Sequence, residues 1–299
     1  MRIGLVGCGS WGKYILRDLC ALGAEVMVVA RSPESRATAQ TGGATSIHAD
    51  VRDLPPADGY VVASTTISHA EIVEALLPTG RPIFVEKPLC DDPAVAQSIA
   101  DRAGERVFSM DKWRYHAGVV QLAEFHAKGI LGQTRHLQSW RLGWHSHDQT
   151  SDSIWHLMPH DLSITLEILG YLPAVRQASG FTAFGVHAEA SALLQDETGP
   201  SVGLHVSGCH PISRRSVLLV GSEGSAQFGD SYDDRIQVRW RDGRTEEVAI
   251  ATDMPLLAEL RVFLDHIRGG PAPKSPAPEA AAIVRHIADI RAIAGLPLR

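Results

Sequence analysis

The spacing of three glycines near the start of the chain constrains its fold more than any other feature. Gly7, Gly9 and Gly12 follow a short apolar run that begins at Arg2. In this arrangement the first glycine permits a tight turn out of a strand, the second leaves room for a pyrophosphate, and the third lets the next helix lie close to the sheet. The spacing predicts a dinucleotide site, although a purely structural turn can contain the same glycines.

The residues on both sides of this loop agree with that interpretation. A strand is predicted from Arg2, and the apolar spacing predicts a helix from about Trp11 to Leu22, with Gly23 as its stop. The phosphates would then lie at the positive N-terminus of this helix. We therefore include Ser10 and Trp11 with the three glycines in the predicted dinucleotide site.

Length, charge and cysteine content restrict the class of protein. A chain of 299 residues favours two domains, and its net charge of −6, without a basic block, argues against a nucleic-acid partner. No apolar stretch is long enough to span a bilayer, so no membrane partner is expected. Because the first strand begins at residue 2, we expect no signal peptide. Four cysteines without a CxxC pair indicate reduced thiols in a cytoplasmic protein.

The order of predicted strands and helices indicates two kinds of architecture. Residues 1–115 alternate between strands and helices, which is typical of a doubly wound parallel sheet, the Rossmann architecture. Residues 116–299 contain many successive strands with tight turns, which predict an α+β domain with a large, mostly antiparallel open sheet. Two helices, over about 255–268 and 278–294, close this second domain.

Cofactor preference can be predicted from the end of the second strand. An acidic residue about 20 positions after the glycines would bind the ribose of NAD, whereas an arginine accommodates the 2′-phosphate of NADP. This chain has Arg31 and Ser32 at that place and Arg36 one turn later. The residues favour NADP, with NAD possible. The alternative is an exposed arginine without a role in binding.

A second motif, Glu86-Lys87-Pro88, follows another buried strand. A lysine at the carboxyl end of a strand can hold or polarise a ligand oxygen, although a surface Glu/Lys pair is also compatible with the sequence. With this motif the chain resembles the Gfo/Idh/MocA oxidoreductases over almost its whole length. The resemblance rests on GCGSWG (7–12), ASTTISHAEIVEALL (63–77), VEKPL (85–89) and IWHLMPHDLSITLEILG (154–170).

The resemblance implies a hydride transfer between a nicotinamide and a hydroxyl or carbonyl carbon of a sugar, polyol or related small molecule. It also implies a homodimer or homotetramer assembled through the second sheet. Lys87 matches the lysine beside the nicotinamide, and His160 matches the histidine that exchanges a proton with the substrate. Imidazole suits this task because its ordinary pKa is close to neutral pH. The residues expected to line the cofactor are Ser64, Thr65, Thr66, His69 and Glu86.

The chain departs from the family pattern four residues before His160. Many members have an aspartate there, whereas this chain has His156. An aspartate would orient the imidazole and favour its charged form, which a second histidine does not do in the same way. His156 could share the proton transfer, bind the substrate or pack. Asp161 could supply the missing charge.

Two histidines one helical turn apart also raise the question of a metal. His156 and His160 have this spacing, and His145, His147 and Asp148 precede them. The glutamate that follows the first histidine of zinc proteases is replaced by Leu157, and the resembled family transfers hydride without a metal. We therefore expect no functional metal.

The substrate class is indicated by aromatic and cationic residues near the domain junction. Trp113, Arg114 and Trp144 join Lys87, His156 and His160 as predicted substrate residues, since flat rings suit sugars and cations suit carboxylates or phosphates. The tryptophans could equally belong to the core. Two alternative functions stay open at this point. One is an imine reductase of the same family, and the other is a ligand-sensing regulator on the same fold.

Overall fold

A computed structural model describes residues 1–144, 152–183, 185–230, 233–252 and 254–298. It divides into two compact units. The first contains Met1–Lys112 with Met254–Val284, and the second contains Trp113–Asp253 with Arg285–Arg299. None of the helices in the described ranges combines the length and hydropathy needed to cross a lipid bilayer.

The first unit is built on the predicted parallel sheet. Its six strands have the order β3-β2-β1-β4-β5-β6, and every pairing is parallel. The strands are β1 (Arg2–Val6), β2 (Glu25–Val29), β3 (Ser46–His48), β4 (Gly59–Val62), β5 (Ile83–Glu86) and β6 (Val107–Met110). They are short, and all except the edge strand β3 are almost fully buried, as expected for parallel strands covered on both faces. The predicted Rossmann architecture is therefore confirmed.

Four helices connect these strands. They are α1 (Gly12–Ala21), α2 (Pro33–Thr41), α3 (Thr66–Leu76) and α4 (Pro93–Ala103). Helix α4 is capped by Asp92, whose carboxylate accepts hydrogen bonds from the amides of Ala94 and Val95. The sequence pattern did not identify α2, because only Ala39 of this polar helix is buried and no apolar periodicity marks it.

The second unit contains the predicted, mostly antiparallel sheet. Its order is β14-β13-β12-β11-β7-β10-β9-β8, and among the strand pairs of the described residues only β7 with β10 is parallel. The elements are α5 (Ala117–Ala127), β7 (Thr134–Trp144), α6 (Ser153–Leu169), β8 (Val175–Ala183), β9 (Val186–Leu194), β10 (Ser201–Ser207), β11 (Cys209–Gly221), β12 (Gly224–Phe228), β13 (Arg235–Trp240) and β14 (Thr245–Ala249). The self-association predicted for this sheet stays a prediction.

Helix α6 is almost completely buried in the second unit. It packs on β7, β9 and β10 and against α5, and nearly all of its residues are buried. Its first residues are capped by Asp152, whose carboxylate accepts from the amides of Ile154 and Trp155. A helix covered on both sides offers few positions to solvent, and those few are the ones available to a ligand.

The last two helices show that the expected domain boundary needs correction. The sequence predicted one domain over 116–299, but α7 (Pro255–Ile267) belongs to the first unit, and the division between the units falls within α8 (Ala277–Ile293). The ring of Phe263 stacks on Phe84 of β5, with 4.9 Å between the ring centroids. The chain returns to the first unit because the apolar face of α7 covers the core of the parallel sheet.

We expect the return of α7 to carry much of the stability of the first unit. Phe263 has no exposed surface, so Phe263→Ala should lower the free energy of unfolding by about 3 to 5 kcal/mol. Phe181→Ala is the matched control, because 46% of Phe181 is exposed on β8, and its cost should be below about 1 kcal/mol. Urea denaturation measures both. Equal costs for the two variants would contradict this packing.

Candidate functional site

The glycine loop lies at the carboxyl end of β1, where two of its glycines are required by the backbone. Gly7 has a φ of +98°, and a Cβ there would lie 2.6 Å from the carbonyl oxygen of Ala63. A Cβ on Gly12 would collide with the carbonyl of Gly7. Side chains at these positions would force the loop away from β4 or from α1. These two glycines therefore shape the turn itself.

The remaining glycine faces open space. Apart from its chain neighbours, no heavy atom of the described residues lies within 4 Å of the position that a Cβ on Gly9 would occupy, and the adjacent Ser10 is exposed. Trp11 provides no side-chain cap for α1, so the helix N-terminus presents its amides without a competing side-chain acceptor. The loop thus forms a backbone-lined cradle at a positive helix end, which fits a pyrophosphate group.

The residues predicted to select NADP lie at the end of β2. Ser32 caps α2, since its Oγ accepts a hydrogen bond from the amide of Ser35 at 3.1 Å. The exposed Arg31 donates from Nε to the carbonyl of Ala49 at 3.4 Å, and Arg36 donates to the carbonyl of Ala30 at 3.3 Å. The first turn of α2 also contains Glu34, whose pKa is lowered by backbone and Ser32 hydrogen bonds. An acidic group therefore lies close to the predicted phosphate-binding residues.

In the loop after β4, three of the four residues predicted to line the cofactor are accessible, and the fourth is buried. Ser64 and Thr66 are partly exposed and Thr65 is exposed, so these side chains are accessible to a ligand. His69 is only 1% exposed, and its ring nitrogens lie 2.9 Å from the carbonyl oxygen of Pro88 and 3.1 Å from that of Ser64. Burial lowers its pKa. His69 therefore ties this loop to the turn after Lys87 instead of presenting its ring to a cofactor.

The motif at the end of β5 brings Glu86 to the glycine loop. The carboxylate of Glu86 accepts a hydrogen bond from the Trp11 indole, and Nζ of Lys112 lies 4.2 Å from the centroid of that ring. Desolvation raises the pKa of Glu86 to about 7, in spite of the opposing charges of Lys87 and Lys112. Trp11 is thus held between a carboxylate and an ammonium group.

A further acidic residue whose charge interacts with that of Glu86 comes from α7. Glu259 is 1% exposed, and among the described residues its Oε2 has no hydrogen-bond partner. Desolvation, followed by the charges of Glu86 and Asp111, raises its pKa well above the usual range. The sequence contains a signal for this residue, because Glu259 occupies a core-facing position between Leu256 and Leu260 in the apolar pattern of the helix.

Helix α6 carries the two histidines predicted for proton transfer. His156 is exposed and His160 is partly exposed, on consecutive turns of a helix that is otherwise almost completely buried. The edge of the Trp113 ring faces the imidazole of His160, with 6.4 Å between the centroids. Two imidazoles on one accessible stripe can bind a hydroxyl group and exchange its proton.

The suggestion that Asp161 supplies charge to His160 is wrong. Asp161 is fully buried, and its carboxylate accepts from Oγ of Ser139 at 2.6 Å and from Nε of Arg141 at 3.0 Å. The carboxylate therefore faces β7. Because neighbouring positions on a helix point about 100° apart, it points in a different direction from the imidazole of His160. Arg141 also lies over the ring of Trp113, 4.6 Å from its centroid. Asp161 fixes α6 to the sheet and supports the ring that packs on His160.

The predicted substrate residues near the junction divide into buried and exposed ones. Trp113 is 6% exposed and stacks on His116, so the core alternative describes it better. Arg114 is 8% exposed and donates to the carboxylate of Glu167 at 2.9 Å, which is a structural ion pair. Trp144 is 61% exposed at the end of β7 and stays available to a ligand.

Some predictions lie beyond what the structure describes. His145, His147 and Asp148 fall outside the described residues, and within the described ranges no three potential metal ligands cluster. Lys87 belongs to the first unit and His160 to the second, so their joint action on one substrate stays a prediction.

Comparisons with known proteins agree with this description. Residues 1–108 match the model of an oxidoreductase family with an NAD-binding Rossmann fold. Myo-inositol dehydrogenase Hyg17 of Streptomyces leeuwenhoekii is 28% identical over 200 residues, which cover 64% of this chain and 60% of that protein. The matches to two further curated relatives cover 41% and 42% of their lengths, so the chain spans only about half of these proteins.

Solved structures show the same fold over the full chain. UDP-N-acetylglucosamine 3-dehydrogenase GnnA from Acidithiobacillus ferrooxidans superposes with a TM-score of 0.86 at 21% identity, covering 100% of this chain and 99% of the other. Levoglucosan dehydrogenase in complex with NADH and levoglucosan gives a TM-score of 0.88 at 17% identity, covering 99% and 97%. At these identities the likeness establishes the fold alone.

The open space at Gly9 generates a prediction that separates binding from folding. Gly9→Ala should leave the free energy of unfolding within about 0.5 kcal/mol, because its Cβ meets no atom. It should weaken dinucleotide binding about tenfold or more, since that Cβ occupies the cradle. Gly7→Ala should instead cost about 1 to 3 kcal/mol of stability. Calorimetric titration with NADH and NADPH, with urea denaturation, measures both effects. Unchanged dinucleotide affinity in Gly9→Ala would contradict the assignment of the cradle.

Proposed function

Because the chain belongs to the Gfo/Idh/MocA oxidoreductase family, we propose that it transfers a hydride between a nicotinamide and a hydroxyl or carbonyl carbon of a sugar, polyol or related small molecule. The observation that carries this proposal is the glycine cradle at the carboxyl end of β1, where Gly9 opens onto free space. The names of the relatives, which include dehydrogenases of inositol and of sugars, support the substrate class.

Each side chain in the proposal has a role that follows from its place. Lys87 follows β5 at the carboxyl edge of the parallel sheet, where its ammonium group would hold the substrate oxygen. His160 would give a proton to that oxygen during reduction or take it during oxidation. His156, one turn away and exposed, would bind a neighbouring hydroxyl group of the substrate. The bound nicotinamide would supply or accept the hydride.

Residues at the strand ends would hold the dinucleotide. The loop from Gly7 to Gly12 would bind the pyrophosphate through backbone amides. Ser64, Thr65 and Thr66 would line the adjacent strand end with hydroxyl groups. Glu86 would act on the cofactor site through Trp11, whose indole it holds by a hydrogen bond.

The reaction itself is tested by substituting the two residues that would contact the substrate oxygen. Lys87→Ala and His160→Ala should each lower kcat about 100-fold or more, because positioned acid–base groups contribute about that much. Cofactor affinity should change little in His160→Ala. Lys128→Ala is a control, since Lys128 is exposed and pairs with Glu124 on α5. NADPH absorbance with a panel of inososes, ketoses and sugar lactones measures turnover.

The outcomes of this experiment distinguish catalysis from ligand sensing. A protein that binds NADPH but turns over no member of the panel would contradict the proposed reaction and favour a regulator. A wild-type kcat in His160→Ala would show that His160 does not transfer the proton. Loss of activity in Lys128→Ala equal to that in Lys87→Ala would show that a general loss of charge, and not position, causes the effect.

For the cofactor we propose NADP in preference to NAD. Arg31 and Arg36 place two cations at the end of β2, and Ser32 provides a hydroxyl group between them in sequence. A guanidinium group binds a phosphate with charge-assisted hydrogen bonds. Glu34 opposes this preference through like charge, and its exposure weakens that repulsion.

Arg31→Ala should weaken NADPH binding about 10- to 100-fold, because a charge-assisted hydrogen bond to phosphate is lost. NADH binding should change less than about twofold, since NADH has no 2′-phosphate. Arg135→Ala provides a control with the same loss of charge at an exposed position of the second unit. Fluorescence titration measures the affinities. An equal loss of NADPH and NADH affinity, or tighter NADH binding by the wild-type protein, would contradict the preference.

A further inference from the structure

The last residues of the chain contact the start of α6 through a buried arginine. Arg291 on α8 has no exposed surface. Its Nη1 donates to Oδ2 of Asp152 at 2.7 Å, and its Nε donates to the carbonyl oxygen of Pro297 at 2.7 Å. One guanidinium group therefore bridges the cap of α6 and the backbone of the C-terminal residues.

A second hydrogen bond joins the same two segments. The indole Nε1 of Trp155, in the first turn of α6, donates to the carbonyl oxygen of Leu298 at 3.0 Å. The Trp155 ring centroid also lies 6.0 Å from the guanidinium carbon of Arg291. We call the contacts of Arg291, Pro297 and Leu298 with Asp152 and Trp155 the tail clamp.

The tail clamp acts on the cap that begins α6. Oδ1 of Asp152 accepts from the amides of Ile154 and Trp155 at 2.8 and 3.4 Å, while Oδ2 accepts from Arg291. Because both carboxylate oxygens are used, the orientation of the cap is fixed by Arg291. A cap without this partner would be free to rotate and would hold the helix start less firmly.

The first turn of α6 needs such support because of Pro159. Proline has no N–H, so Pro159 cannot donate the helical hydrogen bond to the carbonyl of Trp155 four residues earlier. The first turn is therefore less firmly joined to the rest of the helix by its own backbone. His156 follows Trp155 directly, and His160 follows Pro159.

We propose that the tail clamp is a positioning device for His156 and His160, in which Arg291 and Trp155 use the C-terminal backbone to hold the first turn of α6 in place. The inference rests on the proposed function for its effect on turnover. Its structural part, a local restraint on α6, is independent of any reaction. Arg291 and Trp155 are positioning residues because they act through the helix that carries the histidines.

Trp155→Phe tests the tail clamp with a small change, since it removes the indole N–H but keeps an aromatic ring. Hydrogen exchange of the amides of residues 154–156 should become about tenfold faster, with exchange in the sheet strands unchanged. The kcat should fall about 5- to 10-fold, while the KM for NADPH stays within about twofold. Trp240→Phe is the matched control, because Nε1 of Trp240 donates to Glu246 on the exposed β13–β14 hairpin at 2.8 Å.

Arg291→Lys provides a second variant that keeps the buried charge. A single ammonium group cannot reproduce the guanidinium fork, so exchange at residues 154–156 should again become faster, by about tenfold or more. As in Trp155→Phe, the faster exchange should be confined to the start of α6, and kcat should fall while the KM for NADPH changes little. Agreement between the two variants would support a shared restraint on α6.

Three results would overturn the proposal. Unchanged exchange at residues 154–156 in both variants would show that the tail clamp does not restrain α6. Faster exchange throughout the second unit would show a general structural role. Faster exchange at residues 154–156 with a wild-type kcat would show that the tail clamp restrains α6 but does not position the histidines for the reaction. If the wild-type protein turns over no substrate, the proposed function fails, and hydrogen exchange alone decides whether the tail clamp restrains the helix.

Discussion

The close approach of Gly7 to the end of β4 is the constraint on which the rest of the first unit depends. With a φ of +98° and no side chain, Gly7 lets the loop pass against the carbonyl of Ala63. The ends of β1 and β4 can then lie side by side at the carboxyl edge, and Gly9 faces open space next to them. Glu259, which lies close enough to Glu86 to raise its own pKa, is buried because α7 returns to cover the sheet. The approach of Gly7 to β4 therefore sets the shape of the cradle, and the return of α7 adds the acidic charge of Glu259.

In the second unit the corresponding constraint is the immobilisation of α6. The carboxylate of Asp161 binds Ser139 and Arg141 on β7, so the middle of the helix is fixed to the sheet. A buried ion pair of this kind contributes little net stability, but breaking it is costly because an unpaired charge would stay buried. His160, next to Asp161, thus projects from a part of the helix with little freedom to move. Residues on such a rigid element keep the geometry that proton transfer requires.

The sequence allowed the local features of the fold to be predicted, but not its long-range pairings. The first strand and the glycine loop after it were predictable because each depends on residues that are neighbours in the chain. The roles of His69 and Asp161 were not, because their partners Pro88 and Arg141 lie about 20 residues away. The return of α7 to the first unit was missed for the same reason. An apolar helix face shows that it will be buried, but not against which sheet.

The transfer of deuterium from NADPH labelled at nicotinamide C4 tests the central claim most directly. Samples labelled on either face of the ring would be incubated with the protein and a panel of ketoses, inososes and sugar lactones, and the products analysed by mass spectrometry. Hydride transfer predicts that one deuterium enters a carbon of the product from one of the two labelled forms, because a nicotinamide bound in one orientation would present one face to the substrate. Binding of NADPH with both labels retained, and no labelled product from any compound, would contradict the account.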